Sequence, residues 1–244
     1  MVSGEEADAV LDWLRAVRRA LNAGGSTAAT AVVPPAFGRP VDVSFDALDC
    51  YPGAESSVIV MEGERVEGDL VSDGEGGSFA GDCGGDLARI DLLWGVDVSW
   101  KRGLVFNARI ESALSGSGLW NQAIEDGRCI VPVRAFYETR NVDEGARGRK
   151  PQYRFSNAGG TALLLAGLCL NDRFVLVTCE PDAVVGRVHS RMPLSLTASE
   201  ALAWLDRSTD ARDLLARHVP VSLKAQEEPA PTRRPADPDQ MSLF

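Results

Sequence analysis

The stretch Arg-Cys-Ile-Val-Pro-Val-Arg-Ala-Phe-Tyr-Glu, residues 128–138, says most about the fold of this chain. Its first half is short, apolar and rich in β-branched side chains, which is typical of a buried strand. Because Pro132 has no backbone N–H, we expect this strand to lie at a sheet edge or beside a bulge. The stretch ends on Glu138, a carboxylate next to a strand that should be buried.

Four more apolar runs predict that the centre of the chain is built from strands. Each is four or five residues long and rich in Val, Ile or Leu, and glycine and proline punctuate the sequence between them. They are Val58–Met61, Ile90–Trp94, Leu163–Ala166 and Phe174–Thr178. Together with the helices predicted below, these strands indicate the α+β class.

Helices are predicted on both sides of this strand-rich centre. Residues 3–6 read Ser-Gly-Glu-Glu and match a capping box, and apolar residues follow at helical spacing until Ala23-Gly24-Gly25. Two late helices are expected at residues 199–205 and 211–217. The segment from Gly68 to Gly85 is rich in Gly, Asp and Ser, so we expect a mobile acidic loop there.

Length and composition favour one sizeable domain with a tail. Of 244 residues, 45% are hydrophobic and 25% are charged, which excludes general disorder. We expect a domain over residues 1–223, a Pro-rich linker over 224–239 and a terminal peptide at 240–244. The sequence has neither a signal segment nor an apolar run near the roughly 18–20 residues of a membrane span, so we expect a cytoplasmic protein with no membrane partner.

Cysteine and histidine usage predicts neither a metal site nor a disulfide framework. The five cysteines are scattered and form no Cys-x-x-Cys pair, and the chain has only two histidines. Zinc sites and disulfide scaffolds need closely spaced ligands or paired cysteines. We therefore expect no bound metal and no cofactor.

Charge is distributed unevenly along the chain. The formal net charge of −10 disfavours nucleic acid on average. Residues 101–154, however, hold ten basic and six acidic side chains, whereas residues 1–100 hold six and 18. Because salt limits the reach of a charge to about 10 Å, a basic segment in an acidic protein can form a local phosphate-binding face. A solvated surface without a ligand explains the same pattern, and both interpretations stay open.

Four polar side chains stand where the strand pattern predicts a core strand or its end. They are Asn107, Glu138, Thr178 and His189. Burying such a group without a hydrogen bond costs roughly 1–3 kcal/mol, so each must be hydrogen-bonded or functional. A carboxylic acid and a histidine in one cleft are the usual parts of general acid–base catalysis. Composition and spacing alone do not separate satisfied structural groups from a site.

Three motifs follow one another in a fixed order. They are Asn-Ala-Arg-x-Glu at 107–111, Arg-Cys-Ile-Val-Pro with Phe-Tyr-Glu at 128–138, and His-x-Arg-Met-Pro at 189–193. In this order and at these separations they resemble the SRAP family, the SOS-response-associated peptidases or abasic-site-processing proteins, over roughly residues 3–220. The resemblance implies a strand-rich, largely antiparallel, barrel-like core with flanking helices.

The resemblance also implies a function. Family members bind single-stranded DNA at an abasic site, whose ring-opened form exposes an aldehyde. A cysteine just after the initiator methionine reacts through its thiol and α-amine to form a thiazolidine, which is a stable DNA–protein crosslink. The same cysteine underlies the proposed autoproteolytic removal of that methionine. The family name also suggests a protease acting on other proteins, but the sequence shows no triad for that reaction.

Carried onto this sequence, the motifs imply a catalytic set and a DNA-binding set. Asn107 would position the N-terminal nucleophile, Glu138 would act as general acid–base, and His189 would assist sugar ring opening and crosslinking. Arg109 and Arg191 would contact the DNA backbone or organise the pocket. The implied DNA-binding set also contains Thr178, together with Pro52 and Trp94, which lie in segments that look like the family's Ala-Pro turn and Trp-Gly pair. Arginine suits phosphate because its planar fork donates hydrogen bonds in pairs.

The sequence departs from the family at Val2, where the family has its cysteine. An internal cysteine has no free α-amine and cannot form a thiazolidine; Cys50 is the nearest substitute thiol. Two explanations stay open: a true start further upstream, or a real loss that leaves a non-catalytic, clamp-tethered adaptor for single-stranded DNA. Retention of Asn107, Glu138 and His189 favours the first. We expect an enzyme if an upstream cysteine exists.

The last five residues resemble a bacterial sliding-clamp-binding peptide, Gln-Leu-[Ser/Asp]-Leu-Phe. Here Leu243 and Phe244 would fill an apolar pocket and Gln240 would hydrogen-bond at its rim. The linker would supply reach and hold the domain near replication forks. The resemblance therefore predicts the polymerase sliding clamp as a partner, and a terminus that ends by chance in two apolar residues is the alternative.

Overall fold

The computed structural model describes residues 1–23, 26–35, 49–62, 85–115, 118–141 and 150–228. The acidic loop expected between Gly68 and Gly85 lies outside these ranges, apart from Gly85 itself. The linker from residue 229 onward and the terminal peptide at 240–244 also lie outside the described residues.

The chain enters the fold through a long amphipathic helix, α1 (Gly4–Asn22). The Ser3 hydroxyl accepts the N–H of Glu6 and the Glu6 carboxylate accepts the N–H of Ser3, which confirms the predicted capping box. Glu6 also pairs with Arg134, so the cap ties α1 to the segment that leads into Glu138. The buried face of α1 consists of Ala7, Val10, Leu11, Leu14 and Val17.

Eleven strands occur in the described residues. They are β1 (Glu55–Met61), β2 (Leu87–Trp94), β3 (Asn107–Arg109), β4 (Arg128–Val133), β5 (Phe136–Thr139), β6 (Gln152–Asn157), β7 (Leu163–Leu170), β8 (Arg173–Cys179), β9 (Met192–Pro193), β10 (Ser195–Leu196) and β11 (Leu223–Glu228). All five predicted apolar runs lie inside β1, β2, β4, β7 and β8, which confirms them as strands.

Eight strands form one sheet in the order β10-β7-β4-β1-β2-β8-β3, with β9 paired to β8. Because β7 and β8 also pair, the strands β7, β4, β1, β2 and β8 close into a ring. The ring closes unevenly: β4 and β7 pair along six positions, whereas β1 and β4 pair only at Ile59 and Ile130. β8 is parallel to β2 and β3, and the other pairs are antiparallel. This is the expected α+β, largely antiparallel, barrel-like core.

The expectation that Pro132 marks an edge strand is wrong. Its strand, β4, lies between β1 and β7. Pairing with β1 is confined to Ile130, before the chain reaches Pro132, and on the other side Pro132 pairs with Leu164 of β7. The prediction failed because a missing N–H matters only on the side where a neighbouring strand needs that donor.

A second sheet of three antiparallel strands carries Glu138. Its order is β11-β6-β5. β11 runs on to Glu228, so residues 224–228 belong to the fold and not to the linker expected from residue 224. Composition misled here because β11 is held by backbone pairing with β6 along six positions, while only Leu223 among its side chains is buried.

Five further helices complete the described structure. They are α2 (Ser26–Thr30), α3 (Ile110–Ala113), α4 (Asn121–Asp126), α5 (Ala198–Leu205) and α6 (Ala211–Ala216). α5 and α6 confirm the two predicted late helices, each ending within one residue of the expected bounds. In the part of the chain that the structure describes, no helix combines the length and the apolar character needed to cross a bilayer.

Side chains of the large sheet alternate between two apolar clusters. Ile59 belongs to the cluster that packs under α1 and α5, where Trp204 is fully buried. Its neighbour Val58 belongs to the other cluster, with Phe155 of the second sheet and Val188 next to the predicted catalytic histidine. Because both faces of the sheet are covered, its strands read as continuous apolar runs in the sequence.

Candidate functional site

Glu138 and His189 meet in a half-buried site, and we call them the central pair. Glu138 lies on β5, and His189 follows a short 3-10 turn at Val185–Arg187. Glu138 Oε2 lies 3.7 Å from His189 Nδ1, and the exposed fractions of the two side chains are 24% and 26%. The N–H of Asn141 donates to the carbonyl of Val188 over 2.9 Å, which ties the end of β5 to the His189 loop.

Local hydrogen bonds hold the His189 loop in one conformation. The N–H of His189 donates to the carbonyl of Val185 over 2.9 Å. The Asp182 carboxylate accepts the N–H groups of Val184 and Val185 over 2.9 and 2.7 Å. On the ring, Nδ1 lies 2.9 Å from the carbonyl oxygen of Arg191 and 3.2 Å from its backbone nitrogen. The imidazole is therefore oriented by its own loop.

The surroundings of Glu138 favour its protonated form. Burial raises the pKa of Glu138 above the ordinary value for a glutamate, and the charge of protonated His189 lowers it in part. Within the described residues, the Glu138 carboxylate accepts no hydrogen bond. A carboxyl group with a raised pKa donates protons closer to neutral pH than an exposed glutamate does.

Arg191 is surrounded by protein acceptors. Nη1 and Nη2 donate to the two carboxylate oxygens of Glu111, each over 2.9 Å, and Nη2 also donates to the carbonyl of Thr178 over 2.7 Å. The hydrogen bond from Arg191 lowers the pKa of Glu111. Only 22% of the Arg191 side chain is exposed. These contacts anchor the His189 loop to α3 and to the end of β8.

β3 places Asn107 and Arg109 at the edge of the large sheet, beside β8, with both side chains exposed. Arg109 pairs in register with Thr178, which in turn pairs with Pro193 of β9. Thr178 is buried, and its hydroxyl donates to the carbonyl of Ala108 over 3.4 Å. No hydrogen bond or ion pair joins Asn107 to the central pair in the described part of the chain, so sheet register alone relates them.

Trp94 and Pro52 lie together at the end of β2. The indole N–H of Trp94 donates to the carbonyl of Phe106 over 2.9 Å, and the two rings meet edge to face with centroids 5.9 Å apart. Pro52 is exposed in a turn where the N–H of Gly53 donates to the Trp94 carbonyl over 2.7 Å. Gly53 has a φ of +95°, which glycine adopts without steric cost. The structure thus brings Trp94 and Pro52 next to the start of β3.

The loop at residues 96–105, which we call the aromatic–basic loop, was not among the candidate site residues inferred from the sequence. The valines at its two ends pair as in a hairpin, through two hydrogen bonds of 2.9 Å. Near its tip Trp100 is 70% exposed, and Lys101 and Arg102 are exposed without a salt-bridge partner among the described residues. The signal in the sequence was a tryptophan beside two cations in an acidic protein.

Cys50, the candidate substitute thiol, lies in the electrostatic reach of the Met1 α-amine. Burial raises the pKa of the Cys50 thiol, and the charge of that amine lowers it in part. Burial likewise lowers the pKa of the amine. The Met1 side chain packs against the apolar cluster that contains Val188 and Met192, the residues on either side of the His189 segment.

Proton transfer is the chemistry that the central pair itself offers. Among the described residues, no group of three or more His, Cys, Asp or Glu side chains is placed to hold a metal ion. The second histidine, His218, pairs instead with Glu200 over 3.0 Å.

Comparison with protein families identifies the fold. The profile of the family described as SOS response associated peptidase (SRAP) matches residues 52–228, more than half of the chain. This chain belongs to the SRAP family. The match includes the segments that carry the three motifs and ends at Glu228, the last residue of β11.

Curated relatives of this SRAP protein carry a functional name. The abasic site processing protein YoaM of Bacillus subtilis is 25% identical over 138 residues, which are 51% of this chain and 59% of YoaM. The abasic site processing protein YoqW of the same species is 28% identical over 131 residues, which are 49% of this chain and 58% of YoqW. The alignments thus span less than two thirds of these relatives.

Solved structures share the SRAP architecture. A phage-related protein of Bordetella bronchiseptica superposes with a TM-score of 0.51 at 25% identity, over 75% of this chain and 80% of that one. A second protein of B. bronchiseptica superposes with a TM-score of 0.50 at 21% identity, over 74% and 86% of the two chains.

Proposed function

We propose that this SRAP protein processes abasic sites in single-stranded DNA, and that the central pair holds the ring-opened sugar for covalent capture by an N-terminal cysteine, the residue that the family has where this sequence has Val2. The observation that carries the proposal is the contact of Glu138, a carboxyl group of raised pKa, with the His189 imidazole in a half-buried site. Relatives named abasic site processing proteins support the same substrate.

Capture of an aldehyde needs proton transfer at two points. The amine adds to the aldehyde to give a carbinolamine, whose hydroxyl leaves as water once it is protonated. The thiol then adds to the resulting imine and its proton passes to the nitrogen, so that aldehyde and aminothiol become a thiazolidine and one water. Protonated Glu138 suits the first step, and the His189 imidazole suits removal of the thiol proton.

The aromatic–basic loop and Arg109 support binding to single-stranded nucleic acid. An exposed tryptophan such as Trp100 stacks on a base, and free cations neutralise phosphates. Gly95 and Phe106, which flank the loop, are hydrogen-bonded to β8 over 2.7 and 3.1 Å. β8 is also the strand whose end anchors the His189 loop through Arg191. The aromatic–basic loop and the His189 loop are thus both hydrogen-bonded to β8.

Val2→Cys tests the catalytic part of the proposal, because removal of Met1 from this variant exposes an N-terminal aminothiol. Wild type, V2C and V2C/E138Q are incubated with a single-stranded oligonucleotide that holds one abasic site, then heated and run on a denaturing gel. We expect a heat-stable shifted band with V2C and a rate about 100-fold lower with V2C/E138Q. Absence of a crosslink from folded V2C, with its free cysteine verified by mass spectrometry, would contradict the proposal.

A binding-only role is the second candidate, and the exposed aromatic–basic loop, which needs no cysteine to bind DNA, supports it. Fluorescence anisotropy with intact and abasic oligonucleotides measures binding by the wild type, and the denaturing gel measures crosslinking. Preferential binding of the abasic strand without a crosslink would identify an adaptor. A wild-type crosslink that Cys50→Ser removes would assign the capture to the Cys50 thiol.

We also propose that the terminal peptide binds the DNA polymerase sliding clamp. Support comes from its sequence, in which Gln240, Leu243 and Phe244 occupy the positions expected to contact the clamp. Deletion of residues 240–244 should abolish clamp capture in a pull-down while leaving oligonucleotide binding unchanged. Equal capture by the deleted and full-length chains would refute this partner.

A further inference from the structure

The ion pair between Glu111 and Arg191 commits almost the whole guanidinium group to the protein. Arg191 donates through Nη1 and Nη2 to both oxygens of Glu111, and through Nη2 to the carbonyl of Thr178. Its Nε is buried without a hydrogen-bond partner. Of the five N–H groups of an arginine, three are therefore bonded to protein acceptors and a fourth is buried. This arginine has little left to offer a phosphate.

The backbone of Arg191 meets the imidazole of His189 at a single atom. Its carbonyl oxygen lies 2.9 Å from Nδ1, and Glu138 Oε2 lies 3.7 Å from the same nitrogen. The carbonyl oxygen can only accept a hydrogen bond, whereas the competing donor, the Arg191 N–H, is further away, with its nitrogen 3.2 Å from Nδ1. The shortest contact of Nδ1 is therefore with an acceptor, which places the ring proton on Nδ1 and leaves the lone pair on Nε2.

We propose that the Glu111–Arg191 ion pair is a positioning device that holds His189 in its Nδ1–H tautomer, with Nε2 as the proton acceptor of the site. The ion pair fixes residue 191 between α3 and β8, and the backbone of residue 191 then orients the ring. The use of Nε2 in catalysis rests on the proposed function, whereas the tautomer does not. Arg191 is in this view a positioning residue, in place of the DNA contact implied by the family motif.

Glu111→Gln tests the device directly, because it removes the negative charge and one of two acceptor oxygens. Asp8→Asn is the matched control, since Asp8 pairs with Arg89 over 2.7 Å on a different element. Nitrogen-15 NMR of histidine-labelled protein at high pH reads the tautomer, with His218 as internal reference. We expect a protonated Nδ1 in wild type and D8N, and a mixture of tautomers in E111Q. A wild-type Nε2–H tautomer, or an unchanged His189 signal in E111Q, would overturn the proposal.

Kinetics on the V2C background separate positioning from DNA binding. E111Q should slow crosslinking about tenfold, because a displaced imidazole transfers protons less effectively, while affinity for intact single-stranded DNA stays within about twofold. If Arg191 instead bound phosphate, loss of the Glu111 charge would tighten DNA binding by E111Q. That result would also overturn the proposal. If V2C forms no crosslink at all, the proposed function fails, and the NMR comparison still decides the tautomer.

Discussion

His189 with Glu138 and His218 with Glu200 are the same two side chains in two different settings. In the second pair the nitrogen–oxygen distance is 3.0 Å, and Glu200 also accepts two backbone N–H groups and a threonine hydroxyl. In the first pair the distance is 3.7 Å, and Glu138 accepts no hydrogen bond from the described residues. One glutamate has its hydrogen-bonding capacity filled by the fold, and the other keeps it open.

The two carboxylates respond in opposite directions. Burial alone would raise the pKa of Glu200, but the hydrogen bonds from Thr197 and Val219, together with the charge of His218, reverse this and lower it. Burial raises the pKa of Glu138, and only the charge of His189 offsets part of the increase. Since both groups are partly buried, the number of hydrogen bonds that each glutamate accepts, and not burial, distinguishes the two pairs.

The largest effect that would sharpen this comparison is expected from Glu138→Gln. On the V2C background it should lower the crosslinking rate about 100-fold, because the proton donor is lost. The free energy of unfolding in urea should change by less than about 0.5 kcal/mol, because no residue that the structure describes donates a hydrogen bond to this side chain. A large loss of stability would show instead that Glu138 is a structural group.

Glu200→Ala should have the reverse profile. It removes the capping-box partner of α5 and leaves the N–H of Val219 without its acceptor, so we expect a destabilisation of about 2 kcal/mol in urea unfolding. The crosslinking rate of folded V2C/E200A should equal that of V2C. A slower reaction in the folded variant would break the distinction between the two pairs.

Trp100→Ala separates DNA binding from both pairs. Loss of one base-stacking side chain is worth about 1–3 kcal/mol, so anisotropy should report at least about fivefold weaker binding of single-stranded DNA. Stability should stay unchanged because the side chain is 70% exposed. Trp100→Phe is the control and should keep most of the affinity; equal losses in both variants would argue against stacking.

The smallest effect is an opposite pH dependence of stability. The raised pKa of Glu138 means that its favourable contribution is complete below the ordinary value of 4.5 and is lost as pH rises through the folded-state pKa. The lowered pKa of Glu200 gives a contribution that is present above 4.5 and is lost as pH falls. In urea unfolding across this range, the stability of E138Q relative to wild type should rise as pH rises. The stability deficit of E200Q relative to wild type should shrink as pH falls.

Sequence reasoning predicted the parts of the fold that are buried on both faces. The runs around Val58, Ile130 and Val175 are recognisable because nearly every residue in them is apolar. β6 and β11 were not predicted, because their positions are fixed by backbone pairing between mostly polar residues. Pairing between strands that are distant in sequence leaves no local pattern. Composition therefore predicts a linker that starts five residues too early, within β11.

The site was predictable as a set of residues but not as a set of contacts. Motifs placed Glu138 and His189 together, and the 3.7 Å contact agrees with that expectation. The motifs did not show that Arg191 donates its hydrogen bonds to Glu111 and Thr178. These contacts depend on three elements that meet only in the folded chain. The roles inferred for Asn107 and the DNA-binding residues stay predictions.

The length of β11 limits the distance between the folded domain and a clamp bound by the terminal peptide. Because the strand continues to Glu228, eleven residues remain before Gln240. A fully extended segment of that length spans about 40 Å at most. Its anchor lies on the same small sheet as Glu138, two strands away, or about 10 Å. If the terminal peptide binds a clamp, the linker would thus keep the central pair within that short distance of the clamp and of the DNA that it encircles.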